Sequence, residues 1–316
     1  MEVNYKAESE MASVTPASSK KVFWNERRKE SAAGILFVLP EVLGICLMGV
    51  FPLGFTLFLS FTEWNFIGGL DAIKFIGFDN FVRLASDESF LLALKNNLLY
   101  TLFTVPVGMV LALILAVVIH SKAYAKDFFK VAFFIPYIST QVAVAAIWAA
   151  LFHPSLGPIN QFLKNIGMAD PPKWLGSTDS VMAAIIIIGI WHVVGYIVII
   201  YISGLSTISI EVYEAAEIDG ANFWQKFIKI TVPLLSPTTF FLAITLMISS
   251  FKVFDLVAFL TEGGPNHASN VLVYYIYEEG FKNFRMGYAS AISWVLFIIV
   301  AVLTIIMWKI QGRKAE

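Results

Sequence analysis

Six runs of apolar residues, each near or above the ~20 residues a helix needs to cross a hydrocarbon core, leave this chain few folds to choose from. They cover residues 33–61, 91–119, 128–152, 181–202, 238–260 and 286–308. Inside a bilayer every backbone N–H and C=O must find its partner within a helix or within a closed barrel. The runs show no period-two alternation, so a barrel is disfavoured and an all-α membrane protein with six transmembrane helices is expected. A composition of 58% hydrophobic and 14% charged residues, with a mean hydropathy of +0.75, lies far from that of a soluble domain. The first run is too long to be the apolar region of a cleaved signal peptide, and it is expected to remain in the mature protein.

Lys and Arg flank the runs unevenly. One side carries Lys20, Lys21, Arg27, Arg28 and Lys29, then Lys122, Lys126 and Lys130, then Lys226 and Lys229, then Lys309, Arg313 and Lys314. The other carries Lys74, Arg83 and Lys95, then Lys164 and Lys173, then Lys282 and Arg285. The richer side reads as cytoplasmic, which puts both termini and the loop between the fourth and fifth runs there. The expected organisation is a polar tail over 1–30, disordered in its first part, one six-helix domain over 31–310, and a short tail over 311–316. The outer loops hold turn residues such as Gly68-Gly69, Pro171-Pro172 and Gly263-Gly264-Pro265, and none is long enough for a domain of its own. Cys46 is the lone cysteine, and His120, His153, His192 and His267 lack metal-binding spacing. No disulfide, metal site or intramembrane enzyme is expected.

Between the fourth and fifth runs, residues 211–233 read EVYEAAEIDGANFWQKFIKITVP, a charged, amphipathic island. No helix breaker interrupts 210–217, and Gly220 stands where a left-handed residue would end a short helix. Asn222 followed by Gln225 has the form of a capping box that opens a second helix. Phe223, Phe227, Ile230 and Leu234 give that second helix an apolar face, until Pro233 and Pro237 mark the return to the membrane. Ala215 and Ala216 add little bulk, so the first helix could lie close in a partner's groove while Glu214 and Glu217 offer carboxylates to its donors. The other reading is a helix resting on lipid headgroups, which three acids in seven residues suit poorly.

The island resembles the EAA loop of the membrane subunits of ABC importers: Glu214-Ala215-Ala216, Gly220, Ile230 and Pro233 fit its pattern, with Val232 where the pattern has Leu. Gly77-Phe78-Asp79-Asn80-Phe81, Phe134-Ile135-Pro136 and Gly157-Pro158-Ile159-Asn160 fit the same family. The segment SFKVFDLVAFLTEGGP over 250–265, with Gly287-Tyr288-Ala289-Ser290-Ala291, is similar to the sugar-importer branch of MalF-like permeases. The resemblance implies a MalF-like, type I importer bundle whose EAA loop, over 203–236, supplies a cytoplasmic coupling helix. It implies a permease subunit forming half of the translocation pore of an ATP-driven, binding-protein-dependent carbohydrate importer in a bacterial cytoplasmic membrane. Its partners would be a second homologous permease, two cytoplasmic ABC ATPase subunits, an extracytoplasmic solute-binding protein, a sugar or oligosaccharide and membrane lipid, with no nucleic acid. Glu214, Ala215, Ala216, Glu217, Asp219, Gly220 and Pro233 are the positions that match the coupling motif. No Gly-Lys pair occurs in the chain, so it lacks the phosphate loop GxxxxGK[ST]. ATP and Mg²⁺ are expected at the partner ATPase, with no cofactor bound here.

A substrate path is expected among polar groups inside the apolar runs, where each is unfavourable unless it faces a cavity or a partner helix. Lys252 and Asp255, three residues apart, are expected to share a helix face, either as a polar pore surface or as an internal ion pair. Ser249 and Ser250 lie one turn earlier, at positions similar to the sugar-contacting part of MalF-like permeases. Trp191 and Tyr196 suit stacking on pyranose rings, or ordinary packing; His192 suits a helix-to-helix hydrogen bond, or a substrate contact. Gln141, with Ser139 and Thr140, makes the third run polar enough to line a path or to pack. The competing function is an ion-coupled secondary transporter of a small polar solute, in which Lys252 and Asp255 would couple to ions.

The orientation is directly testable with fusions. Green fluorescent protein placed after Glu316 should fluoresce and alkaline phosphatase there should be inactive, with the reverse for fusions ending at Asn266. The opposite pattern would turn the whole topology over.

Overall fold

The computed structural model describes residues 20–122 and 126–315; the stretch of the amino-terminal tail expected to be disordered lies outside them. The chain divides into two compact units, with the boundary between Phe55 and Thr56. The first contains helix Lys20–Ile45, which carries Pro40 inside it, followed by the π-helical turn Cys46–Val50. Helix therefore begins within the stretch read as tail, and at the other end helix Met286–Ala315 extends into residues 311–315 as well.

Four helices among the described residues are long and apolar enough to cross a bilayer: Arg28–Ser60, Glu88–Ser121, Val181–Leu205 and Met286–Gln311. The third apolar run is a bent pair rather than a straight span, a second bent pair leads from the island into the fifth, and counting each pair as one crossing gives up to six. In the third, Lys126–Ile138 and Gln141–Leu151 meet at 97°. Pro136 removes one donor from the end of the first piece. Thr140 then leaves the helical region at φ −64°, ψ 138°, and its hydroxyl accepts from the Ala143 N–H, opening the second piece. In the fifth, helix Ser236–Phe251 follows Phe223–Leu234 at 63°, the bend falling between Pro233 and Pro237. The single helix expected over 238–260 ends at Phe251; Lys252, Val253 and Phe254 are non-helical and a short helix, Asp255–Leu260, follows. A two-residue antiparallel ladder, Thr62 opposite Phe75 and Glu63 opposite Lys74, is the departure from all-α.

The second unit is organised around helices Glu88–Lys122 and Val181–Leu205, which lie side by side. Lipid tails give apolar helices no hydrophobic reason to pair, so small residues that let backbones approach must supply the contact. Gly108, Ala112 and Ala116 recur every four residues along the first helix; Ala112 and Ala116 are fully buried, and Gly108 faces Val193 and Ile197. Helix Lys126–Ile138 crosses the second so closely that a side chain at Gly195 would overlap the Phe133 carbonyl. Outward, helix Glu88–Lys122 presents Leu102, Val110 and Ile114, a surface suited to lipid rather than water.

Several connections between the helices are fastened by asparagines. Asn80 donates to the carbonyls of Ser60 (3.0 Å) and Thr62 (2.9 Å). Asn160 donates to those of Pro154 and Pro172, both at 3.0 Å, and accepts from the Trp174 indole at 2.6 Å. Asn96 reaches the carbonyls of Ala268 (3.1 Å) and Asn270 (2.9 Å), while Asn97 donates to the Ser250 carbonyl and accepts from the Leu272 N–H, both at 3.2 Å. Asp87 gathers three elements. One oxygen accepts from the Ser89 and Phe90 N–H groups at the start of helix Glu88–Lys122; the other accepts from the hydroxyls of Tyr275 (2.6 Å) and Tyr288. Burial pushes its pKa up, but these four donors together outweigh burial and hold the carboxyl below its usual value of 3.8.

A lowered folded-state pKa means that Asp87 contributes stability above pH ~4, and that this contribution is lost as pH falls through its lower folded value. Asp87→Ala should therefore lower the thermal stability of the detergent-solubilised protein by roughly 2 kcal/mol near neutral pH. The gap to wild type should narrow on acidification. Equal stability of the two proteins at pH 7 would contradict this account.

Candidate functional site

A cavity of about 210 Å³ lies where the two broken segments meet the central helix pair. Gln141, just after the first break, lines it, as do Ser249, Ser250, Lys252, Val253, Phe254 and Asp255 around the second. His192 and Gly189 come from helix Val181–Leu205, Tyr100 and Thr104 from helix Glu88–Lys122, and Tyr137 from the piece preceding the first break. Six of the eight path candidates thus converge on one space.

The charged pair differs from expectation. Lys252 and Asp255 do not share a helix, because the chain unwinds between them, and no ion pair joins them among the described residues. Each instead sits at a helix end of complementary sign. Lys252 stands at the carboxy-terminal end of Ser236–Phe251, where a cation is favoured, and Asp255 opens Asp255–Leu260, where an anion is favoured. This accounts for two charges in an apolar run without a salt bridge, and leaves both side chains exposed to the cavity.

The uncharged groups are held more firmly. Gln141 Nε2 lies 3.1 Å from His192 Nε2, joining the piece after the first break to the central helix. Ser250 is buried, its hydroxyl 2.9 Å from that of Thr101 and donating to the Met247 carbonyl at 2.8 Å, whereas Ser249 makes no side-chain bond among the described residues. Trp191 and Tyr196 do not line the cavity. Tyr196 stacks on Tyr137 at 4.8 Å and so supports a lining residue from behind. Trp191 packs edge to face on Trp148 at 5.4 Å, in a separate apolar hollow with Leu111, Ile114 and Pro136. Tyr100, Thr104, Tyr137 and Phe254 are lining residues that the sequence reading missed. Tyr100 and Thr104 are spaced four apart on one helix face, a polar pair inside an apolar run that could have been noticed; Tyr137 had no such signal. The Thr104 hydroxyl is buried at the cavity wall, one helical turn from Tyr100.

The island between the fourth and fifth runs folds as helix, turn, helix. Helix Ile210–Ile218 is capped by Ser209, whose side chain accepts from the Glu211 N–H at 3.3 Å. It ends at Gly220, φ +76°, with the Ala221 N–H on the Ala216 carbonyl (2.9 Å) and the Gly220 N–H on that of Glu217 (3.0 Å). Both bonds of a Schellman termination are present, and a β-branched residue at φ +76° would be strained by on the order of 1–2 kcal/mol. Asn222 and Gln225 form the reciprocal capping box, at 2.9 and 2.8 Å, that opens helix Phe223–Lys226. A π-helical stretch, Phe227–Thr231, follows, and Pro233 lies in the last turn, Val232–Leu234. Glu214, Ala215 and Asp219 are exposed, Ala216 is half-buried, and Ile218 is 87% exposed. Glu217 is not free: its carboxylate holds Lys226 at 2.5 Å.

Three comparisons bear on this architecture. A family model described as binding-protein-dependent transport system inner membrane component matches residues 96–313. The chain is 35% identical over 286 residues to the probable ABC transporter permease protein YesP of Bacillus subtilis (strain 168), covering 89% of this chain and 91% of that protein. It is 30% identical over 301 residues to the arabinooligosaccharides transport system permease protein AraP of the same organism, covering 94% of each. Its fold matches a chain in the crystal structure of a bacterial alginate ABC transporter in complex with an alginate pentasaccharide-bound periplasmic protein, with a TM-score of 0.80 at 23% identity over 92% of this chain and 98% of that one.

The two sets of candidates separate in a labelling experiment. With Cys46→Ser as background, Ser249→Cys should react with a hydrophilic thiol reagent at least ~10-fold faster than Trp191→Cys, since only the first faces the cavity and polar reagents are excluded from lipid-facing positions. Equal rates would remove the distinction.

Proposed function

The chain belongs to the family of binding-protein-dependent transport system inner membrane components, and on that footing we propose that it forms half of the pore of an ATP-driven carbohydrate importer. It works with a second, homologous permease. The loop around helix Ile210–Ile218 lies on the cytoplasmic side with both termini and docks on an ABC ATPase, two of which serve the complex; a solute-binding protein delivers the sugar from outside. ATP and Mg²⁺ belong to the ATPase, and this chain binds no cofactor. A carbohydrate cargo is supported by AraP, whose name specifies arabinooligosaccharides, and by the chemistry of the cavity, where hydroxyl, amide, imidazole and phenol groups stand beside aromatic faces.

One observation carries the reading. Helix Ser236–Phe251 begins where the exposed loop ends and finishes at the cavity, so Ser249, Ser250 and Lys252 sit on the far end of the element that the loop feeds. Closure of the ATPase around the coupling helix would move its near end. A ligand or partner can shift such a two-state element only by binding one state better than the other, and the sugar-loaded binding protein supplies that difference from outside. Ion coupling through a Lys252–Asp255 pair is less well supported, because the two charges answer to separate helix ends rather than to each other.

In membrane vesicles holding the complete complex, Glu214→Lys and Gly220→Val should leave insertion and subunit recovery intact while reducing sugar-stimulated ATP hydrolysis at least ~10-fold. Full stimulated activity in both variants would remove the coupling role from this loop. Uptake by the purified chain alone would remove the half-pore reading.

A further inference from the structure

We propose that Lys226 is a positioning residue that locks the coupling helix to the return helix, so that the two move as one body. This rests on the coupling role assigned above to helix Ile210–Ile218.

Two ties converge on Lys226. Its ammonium lies 2.5 Å from a Glu217 carboxylate oxygen, with the Lys226 side chain only 21% exposed against 62% for Glu217. The lysine is thus drawn in against the loop. Its backbone carbonyl accepts from the Thr231 hydroxyl at 3.3 Å, and the same hydroxyl oxygen lies 3.0 Å from that of Tyr213. Since the Thr231 proton is directed at the carbonyl, the Tyr213 hydroxyl is the donor in the second bond. Tyr213 and Glu217 are four residues apart and therefore on one face of the coupling helix. That face is fastened at two points, one turn apart, and Glu211, Glu214, Ala215 and Ile218 are left on the rest of the surface.

The return helix is shaped for this. Its π-helical stretch, Phe227–Thr231, begins directly after Lys226 and ends at Thr231, so the wider turn sets the spacing between the two residues that hold the coupling helix. Single π turns recur at functional positions in helices for this kind of local re-aiming. Gly220 alone would leave the connection a hinge, because a glycine at φ +76° with open space around it opposes little rotation. The two cross-ties convert the hinge into a fixed elbow. The sequence pattern assigns Glu217 to the ATPase; the geometry assigns it to Lys226.

An exposed ion pair of this kind shifts an equilibrium by about fivefold at most, the factor that ~1 kcal/mol represents, so breaking it should loosen the elbow without unfolding it. In the complete complex, Lys226→Gln and Glu217→Gln should each lower sugar uptake per ATP hydrolysed by roughly fivefold with subunit recovery unchanged. Lys226→Arg should retain coupling, and the swap Glu217→Lys with Lys226→Glu should recover most of what Glu217→Lys alone loses. Spin labels at Glu211→Cys and Lys229→Cys, in a Cys46→Ser background, should show a broader distance distribution when Lys226→Gln is added. An unchanged distribution, or a swap no better than the single charge reversal, would overturn the proposal. Loss with Glu217→Gln but not with Lys226→Gln would mean that Glu217 acts directly on the ATPase, which sinks the elbow and keeps the coupling role. Normal activity in Glu214→Lys as well as in every loop variant would sink both.

Discussion

Backbone hydrogen bonding without water is the constraint on which this structure depends. A helix inside a bilayer can stop only where something else satisfies the N–H and C=O groups it releases. The chain stops helices in two of its apolar runs, and in each case it provides a replacement nearby: the Thr140 hydroxyl at one break, and the Asn97 amide, which donates to the Ser250 carbonyl, at the other. Both breaks border the same cavity. The interruptions are where the polar interior comes from, since an unbroken bundle of these residues would offer a solute little besides methyl groups.

Much of this was legible in the sequence. Run length and the absence of alternation gave the helical bundle, and Gly220, Asn222 and Gln225 gave the helix, turn, helix of the island between the fourth and fifth runs with its capping box in place. The breaks were less visible. Pro136 was in plain view, yet a proline in a membrane helix is compatible with a mild kink as well as a right angle, and only the seating of Lys126–Ile138 against Gly195 decides between them. The sequence places Lys252 and Asp255 three apart on a helix, because nothing in FKVFD signals unwinding. Their residue types fit the actual arrangement, but the sequence does not state that a charge is answering a helix end. Trp191 and His192 are adjacent and point to different places, one to an apolar hollow and the other to the cavity, a difference of 100° on a helix that only the register of its neighbours can resolve. Tyr137 and Phe254 entered the cavity wall for the same reason: the bends, rather than any polar pattern, turned them inward.

The island between the fourth and fifth runs shows how modest interactions combine to fix an orientation. No single element there contributes much: a capping box, a glycine termination, one hydrogen bond between hydroxyls and one exposed ion pair each amount to about 1 kcal/mol or less. They act on the same few degrees of freedom, the angle and roll of a nine-residue helix. Because the strand of chain leaving that helix becomes the wall of the cavity, orientation at one end and shape at the other are linked through a single covalent path, bent by 63° at one point.

The asparagine clasps have an evolutionary corollary. Asn80, Asn96, Asn97 and Asn160 all grip main-chain atoms, and a main-chain carbonyl is the same whichever residue owns it. A substitution in a gripped segment that leaves the backbone in place would therefore leave the clasp intact. A scaffold fastened in this way can exchange the surface of its loops, generation after generation, without renegotiating its own architecture.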